Sequence, residues 1–341
     1  MSVLRHRSIS VRLHLRPLLV AIACALVAVV VAVVSIGSGD YPLSPGEVVT
    51  TLLGQGSRMD AFIVNELRLP RVATALAVGV ALGLSGGVFQ ALVRNPLGSP
   101  DVLGFTQGAS AGALTVMLIA GGSGLAVAGG AVAGGLVTGA IMLIVAGRAG
   151  AHGYRLVLVG IGLSAILTGV VGYLLTKAQI IDAAQATLWL TGSLDGRDWD
   201  DVLPLAILLA LTLPLLVLAS RALVMLEMGD QSAGALGVPV GRLRLLLYVT
   251  SVLLVSFAAA AAGPVSFVAL TAPHLARRLT RAPGPNLLAS ATMGAVLLVV
   301  ADLVAQRAFT GRTLPVGVIT GLLGGGYLVW LLVMERKAGR I

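Results

Sequence analysis

"LLLYVTSVLLVSFAAAAAGPVSFVALTAPHLARRL", residues 245–279, decides how many times this chain crosses a membrane. From Leu245 to Pro273 it holds no charged side chain. Run as one helix, 245–276 would extend about 48 Å at about 1.5 Å per residue, against a hydrocarbon core of about 30 Å. Gly263 and Pro264 interrupt it, because proline lacks an N–H and its ring collides with the preceding turn. The stretch therefore predicts two spans, 245–262 and 264–276, the second one short.

The basic residues test that split. Ten apolar segments result, at 17–36, 70–91, 102–120, 124–146, 155–176, 202–219, 245–262, 264–276, 287–306 and 315–334. With the N-terminus inside, 16 of the 23 basic residues fall on the inner side, among them Arg94, Arg221, Arg242, Arg244, Arg277 and Arg278. The outer set is Arg58, Arg68, Arg71, Lys177, Arg197, Arg307 and Arg312. Merging 245–276 into one span would put Arg277 and Arg278 opposite Arg242 and Arg244, and send the terminal "ERKAGR" outside. The positive-inside rule disfavours that arrangement. The expectation is an all-α polytopic membrane protein of about ten transmembrane helices, with both termini cytoplasmic. It forms a single transmembrane domain over 1–341, with the bundle in 17–334.

Composition agrees over the whole length. Only 11% of the 341 residues are charged and 57% are hydrophobic, whereas soluble domains carry about 25% charge. Mean hydropathy is +1.00, so lipid is the solvent. The net charge of +9 is spread in short arginine runs between apolar segments, the pattern of topology signals and not of a nucleic-acid surface. Cys24 is the only cysteine, which excludes an intrachain disulfide. The leading "RHRSISVRLHLRP" and the run Pro17–Ile36 mimic a secretory signal. That run exceeds a signal core and no A-x-A site follows, so it reads as a retained first span.

Glycines recur at four-residue spacing: Gly104, Gly108 and Gly112; Gly130 and Gly134; Gly317, Gly321 and Gly325. Small residues at that interval let helix backbones approach closely. In 43–54, Ser44, Pro45 and Glu47 form a capping-box pattern and predict a short surface helix. The acids and two tryptophans of 182–201 suit the membrane interface.

Enzyme chemistry is scarce. The two lysines, Lys177 and Lys337, lie in no Gly-Lys-Ser/Thr sequence, so the chain supplies no Walker A loop. The four histidines have no H-E-x-x-H spacing. Asp302 and His274 are candidates for an ion relay, but each reads better as a structural hydrogen-bonding group. A transporter with neither device must borrow its energy.

"LEMGDQSAGALGVPVGRLR", 226–244, breaks the apolar pattern with a long polar segment. Gly229 precedes Asp230, which can cap a short helix through about Leu236, with Gly237 as its left-handed stop. Pro239 suits the first turn of a second short helix. Ala233, Gly234 and Ala235 are small and Leu236 protrudes, so a groove on another protein could seat the first helix. An ordinary inner loop with two turns fits the same letters.

This segment resembles the ATPase-coupling region of the FecCD/BtuC-type permeases of iron–siderophore and vitamin B12 importers. Other stretches share the likeness along nearly the full length: "RLPRVATALAVGVALGLSGGVFQALVRNPLGSPDVLG" (68–104), "LWLTGSL" (188–194), "GPVSFVALTAPHLARRL" (263–279), "ADLVAQR" (301–307) and "LPVGVITGLLGGGYLVWLL" (314–332). "LEMGDQSAGALGV" and "GGGYLVWLLVME" are most similar to one of the two permease subunits of ferric-enterobactin importers.

The resemblance implies a permease subunit of an ABC importer for a ferric siderophore, in the bacterial cytoplasmic membrane. Its partners would be a homologous second permease subunit, two cytoplasmic ATPase subunits that bind ATP and Mg, and an extracytoplasmic substrate-binding protein. This subunit itself would hold no cofactor, metal or nucleic acid. The coupling segment would be 220–244, with Gly229, Asp230, Ala233, Leu236, Gly237 and Val238 in contact with the ATPase. Asn95 and Leu97 match the family's cytoplasmic gate. Arg68 and Arg71 match arginines that meet the binding protein. The third such position holds Gln306 here, leaving Arg307 or Arg312. The rivals are a permease for vitamin B12 or haem and, in another class, an ion-coupled secondary carrier.

Overall fold

The computed structural model describes residues 2–6, 9–13, 15–39, 41–147, 153–308 and 313–337. Two short strands, β1 (Ser2–His6) and β2 (Ile9–Leu13), pair antiparallel at the N-terminus. The alternation Ile9, Ser10, Val11, Arg12, Leu13 has the two-residue period of a strand; apart from this hairpin the fold is the expected all-α bundle. Every later element of regular structure among the described residues is a helix.

In chain order the helices are α1 (Leu15–Gly37), α2 (Pro45–Leu52), α3 (Arg58–Phe62), α4 (Leu69–Val93), α5 (Phe105–Leu118), α6 (Leu125–Ala146), α7 (Gly153–Lys177), α8 (Ile180–Leu190), α9 (Trp199–Glu227), α10 (Asp230–Ala235), α11 (Val240–Ala262), α12 (Val268–Thr280), α13 (Leu287–Arg307) and α14 (Val316–Lys337). A π-helical turn, Ile63–Arg68, joins α3 to α4 without a break. Each of the ten expected spans coincides with one of these helices. Among the described residues, seven helical stretches are long and apolar enough to cross a membrane.

Two expected spans are corrected. Helix α12 has 13 residues and α5 has 14, about 20 Å each at ~1.5 Å per residue, too short to cross alone. Gly263 and Pro264 do break the chain, but 264–267 is non-helical and Phe267 takes a left-handed backbone before α12 begins. Likewise 95–104 is a chain of turns with Ser99 and Leu103 buried, and only then does α5 start. Irregular backbone at such depth is tolerated where protein or a cavity surrounds it. In the other direction, α9 outruns the expected 202–219 at both ends, with Pro204 and Pro214 inside it. The surface helix is as expected: the Ser44 N–H donates to Glu47 at 2.7 Å and the Glu47 N–H to the Ser44 hydroxyl at 3.3 Å. The Ser44 N–H foremost, with the Ser44 hydroxyl, holds the Glu47 carboxyl below the ordinary range.

Helix α4 is the centre of the bundle and packs on α13, α11, α12 and α9. Of its most apolar stretch 78% is buried, against 11% for α7. Glycines make this closeness possible. A Cβ on Gly79 or Gly83 would overlap the backbone of Gly294 or Ser290 in α13, and one on Gly86 the backbone of Ala269 in α12. Of the expected small-residue rows, Gly108 and Gly112 interlock with Gly130 and Gly134, and Gly317 lies against Thr191. Gly321 and Gly325 meet only open space. Phe89, Phe105 and Tyr248 form a ring cluster with centroids 5.3–5.9 Å apart. The Tyr248 hydroxyl donates to the Gly139 carbonyl at 2.9 Å, so α4, α5, α6 and α11 are pinned together.

Candidate functional site

The two ends of α4 carry two polar assemblies, about 37 Å apart along its 25 residues at ~1.5 Å rise each. At the C-terminal end is the segment singled out in the sequence. Its irregular part is narrower than 220–244: α9 continues to Glu227 and α11 begins at Val240, leaving 228–239. The second short helix is simply the first turns of α11, because nothing after Gly241 interrupts the helix. Within 228–239, α10 ends in a Schellman motif. The Gly237 N–H donates to Gly234 and the Val238 N–H to Ala233, both at 3.0 Å, and Gly237 has φ +81°.

Three of the expected contact residues take other roles. Asp230 does not cap α10; Gly229 occupies that position, with φ +115° and no side-chain cap. Ala233 is fully buried, turned toward its own bundle, and Val238 is half-buried against the core. The outward face is made instead of Leu236 at 61% exposure, Met228 at 68%, Gly234, Ala235 and Gly237. Met228 lies within the quoted stretch but was given no role, because it precedes the first short helix.

The Asp230 carboxylate faces two arginines. Arg244 donates to its Oδ1 at 2.7 Å, and Arg94 pairs with the same oxygen. Arg94 also donates from Nε to the Leu226 carbonyl at 3.1 Å. It is the left-handed residue, φ +52°, that ends α4 and opens the turn holding Asn95 and Leu97. Asn95 Oδ1 accepts the Leu97 N–H at 2.9 Å, and Leu97 is half exposed. Nothing in the letters signals that Arg94 reaches 228–239, since 136 residues separate Arg94 from Asp230.

At the other end, Arg71 donates to Asp302 Oδ1 at 2.9 Å and to Asp195 at 3.0 Å. Asp302 is only 1% exposed, and Gln306 donates to its Oδ2 at 2.8 Å. Both oxygens of the relay candidate are thus engaged. Arg68 donates to the carbonyls of Ile36 and Tyr41, each at 2.7 Å, and fastens the loop after α1. Arg307 is exposed, while Arg312 lies outside the described residues.

Between the ends lies a cavity of about 420 Å³, open on one side. Asp101, Thr106, Gln107 and Ser110 line it from the α5 side, Thr168 from α7, Thr191 after α8, and Ser266 before α12. The first turns of α5 and α14 and the turn leading into α12 converge there. The positive ends of their dipoles favour acceptor groups. Thr106 donates to Asp101 Oδ1 at 2.7 Å. No role was assigned to any of these polar side chains from the sequence. The missed signal was the i, i+4 pair Thr106 and Ser110 on one face of a short helix. His274, the other relay candidate, lies 2.6 Å from the Tyr327 hydroxyl through Nδ1. The letters "GLSGG" (83–87) have nucleophile-elbow spacing, but they sit inside α4 and Ser85 donates to the Ser251 carbonyl at 2.9 Å.

A many-helix membrane bundle with two broken helices, a polar cavity between them and an exposed apolar knob at one end defines the class: a polytopic permease. The model of the FecCD transport family matches residues 24–334, and the chain belongs to that family. It is 44% identical over 96% of its length to 98% of the Escherichia coli ferric enterobactin transport system permease protein FepG. It is 36% identical over 94% of its length to 97% of the Bacillus subtilis Fe(3+)-citrate import system permease protein YfmE. A solved metal-chelate type ABC transporter in an inward-facing conformation superposes with TM-score 0.83 at 29% identity, covering 92% of this chain and 99% of that one. The protein is therefore a multi-pass permease of the bacterial cytoplasmic membrane.

Proposed function

We propose that this chain moves a ferric siderophore, ferric enterobactin foremost, into the cytoplasm as the membrane-spanning subunit of an ABC importer. The full-length likeness to the ferric enterobactin permease is the observation that carries the substrate. The Asp230 end faces the cytoplasm, as the arginines gathered there favour. On it the outward face of 228–239 docks an ATPase subunit, which binds ATP and Mg and supplies the energy. Leu236 and Met228 are the anchors, and Gly229 and Gly237 set the backbone that presents them. Asn95 and Leu97 form the cytoplasmic gate, in the turn directly beside this surface.

The cavity supports a partner in the membrane. Its hydroxyls, amide and carboxylate are lined on one side by Thr168 and Val171 of α7, a helix mostly exposed in the single chain, and polar groups turned to hydrocarbon are costly. A second, homologous permease subunit closes that side, so that the two chains enclose one path. At the Arg71 end an extracytoplasmic binding protein delivers the ligand. Arg307 is accessible to it at once, whereas its acids must displace Asp195 to reach Arg71, and Arg68 serves mainly to hold the rim.

Co-expression tests this reading. The chain should elute as one complex with a second permease and an ATPase, and ferric enterobactin with its binding protein should raise ATP hydrolysis. Elution alone, with no ATPase retained, would overturn it.

A further inference from the structure

We infer that Arg94 is the strut that carries movement of the docking segment into the gate turn. The inference rests on the reading of 228–239 as the ATPase surface, and it adds a positioning residue that neither the motif letters nor the gate residues include. Four elements meet at this one guanidinium. Its backbone is the left-handed hinge between α4 and the turn 95–98, its Nε holds the last turn of α9 through Leu226, and its Nη2 holds the first residue of α10 through Asp230. Arg244 anchors the same carboxylate to α11, with its own side chain only 15% exposed. The Asp230 carboxylate is therefore tied on one side to the fixed bundle and on the other to the gate.

The geometry converts a push into a turn. Ala233 is buried against the bundle, so α10 cannot slide freely; it can only tilt about that contact when Leu236 is pressed. Tilting moves Asp230, at the opposite end of the six-residue helix, against Arg94. Arg94 is not embedded in a helix but caps one, with φ +52°, so its backbone yields more readily than a helical residue. Asn95 follows directly, and its side chain sets the Leu97 N–H. Motion of Arg94 is passed on to both gate residues.

The test uses the assembled complex in proteoliposomes, with Cys24→Ser and Leu97→Cys to report the gate. A thiol-reactive dye is used to measure labelling of position 97 with and without ATP and the ligand-loaded binding protein. In the parent, nucleotide should change the labelling rate. In Arg94→Gln the ATPase should still co-purify and hydrolyse ATP at its basal rate. The labelling response should vanish, and uptake per ATP, measured in the Leu97 chain, should fall about tenfold, within the usual range of coupling between sites. Arg94→Lys keeps a charge on Asp230 and should recover at least half of the uptake.

If Arg94→Gln does not assemble, Asp230→Asn carries the same labelling test and should abolish the response. A full labelling response and normal uptake in Arg94→Gln would overturn the strut while leaving the docking surface standing. Equal losses in the Gln and Lys variants would place the defect in the turn's backbone and overturn it too. Loss of the ATPase in Arg94→Gln would make Arg94 part of docking rather than transmission, and absence of an ATPase from the parent complex would instead remove the parent reading.

Discussion

Gly237→Val perturbs the docking segment at one of its two glycines with positive φ. Gly237 has φ +81° and donates its N–H to Gly234, while the next N–H, of Val238, reaches back to Ala233. A Cβ there would meet no atom within 4 Å, so the substitution adds no clash with the bundle. Its cost is in the backbone, roughly 1–2 kcal/mol for a β-branched residue held left-handed. Escape from that conformation forfeits two hydrogen bonds, each about 1 kcal/mol. Either route costs one to two kcal/mol, which lowers the ratio of formed to unformed turn about 5- to 30-fold. Leu236 is then no longer presented in one place.

The assay is ligand-stimulated ATP hydrolysis and uptake by the reconstituted complex. Both should fall at least about fivefold by the same arithmetic, with unchanged detergent stability. Gly241→Ala is the control. It lies in α11, outside 228–239, with helical backbone and nothing within 4 Å of its added Cβ, so activity should hold. Normal transport by Gly237→Val with its ATPase bound would refute the reasoning, and so would an equal loss in Gly241→Ala.

Three further outcomes are expected. In a Cys24→Ser background, an impermeant thiol reagent should label Gly196→Cys from outside intact cells and Asp230→Cys only after lysis; the same result at both would break the two-ended scheme. Arg71→Glu should destabilise the chain by about 3–5 kcal/mol, the cost of stranding a buried charge, because Asp302 loses its counter-ion; a thermal melt in detergent checks it, and a shift seen only in binding-protein affinity would assign Arg71 to docking alone. Gly79→Leu should fail to assemble, since any side chain there overlaps α13, whereas Gly321→Leu should be stable because that face is open; size-exclusion profiles distinguish them.

The ten-segment pattern was legible because hydrocarbon thickness, proline breaks and arginine placement act on the sequence locally. So were the Ser44 capping box and the Gly237 stop, whose causes lie within a few residues. What stayed hidden depends on contacts across the chain. The letters of 228–239 do not tell that Asp230 has two arginine partners, one on α4 and one on α11. They do not tell that Ala233 faces inward. The short length of α5 was missed because apolar composition alone cannot distinguish a crossing from a buried half-helix. Arg71 read as a free outer arginine because Asp302 lies 231 residues away.

The most direct test of the account is ATP-driven uptake by purified components. This chain, its homologous partner and the ATPase would be reconstituted into sealed vesicles containing ATP, and iron-labelled ferric enterobactin would be added outside with its binding protein. The account predicts accumulation that needs enclosed ATP and the binding protein, is unaffected by a protonophore, and is abolished by a non-hydrolysable ATP analogue. Uptake that persists without ATP and collapses with the proton gradient would contradict it.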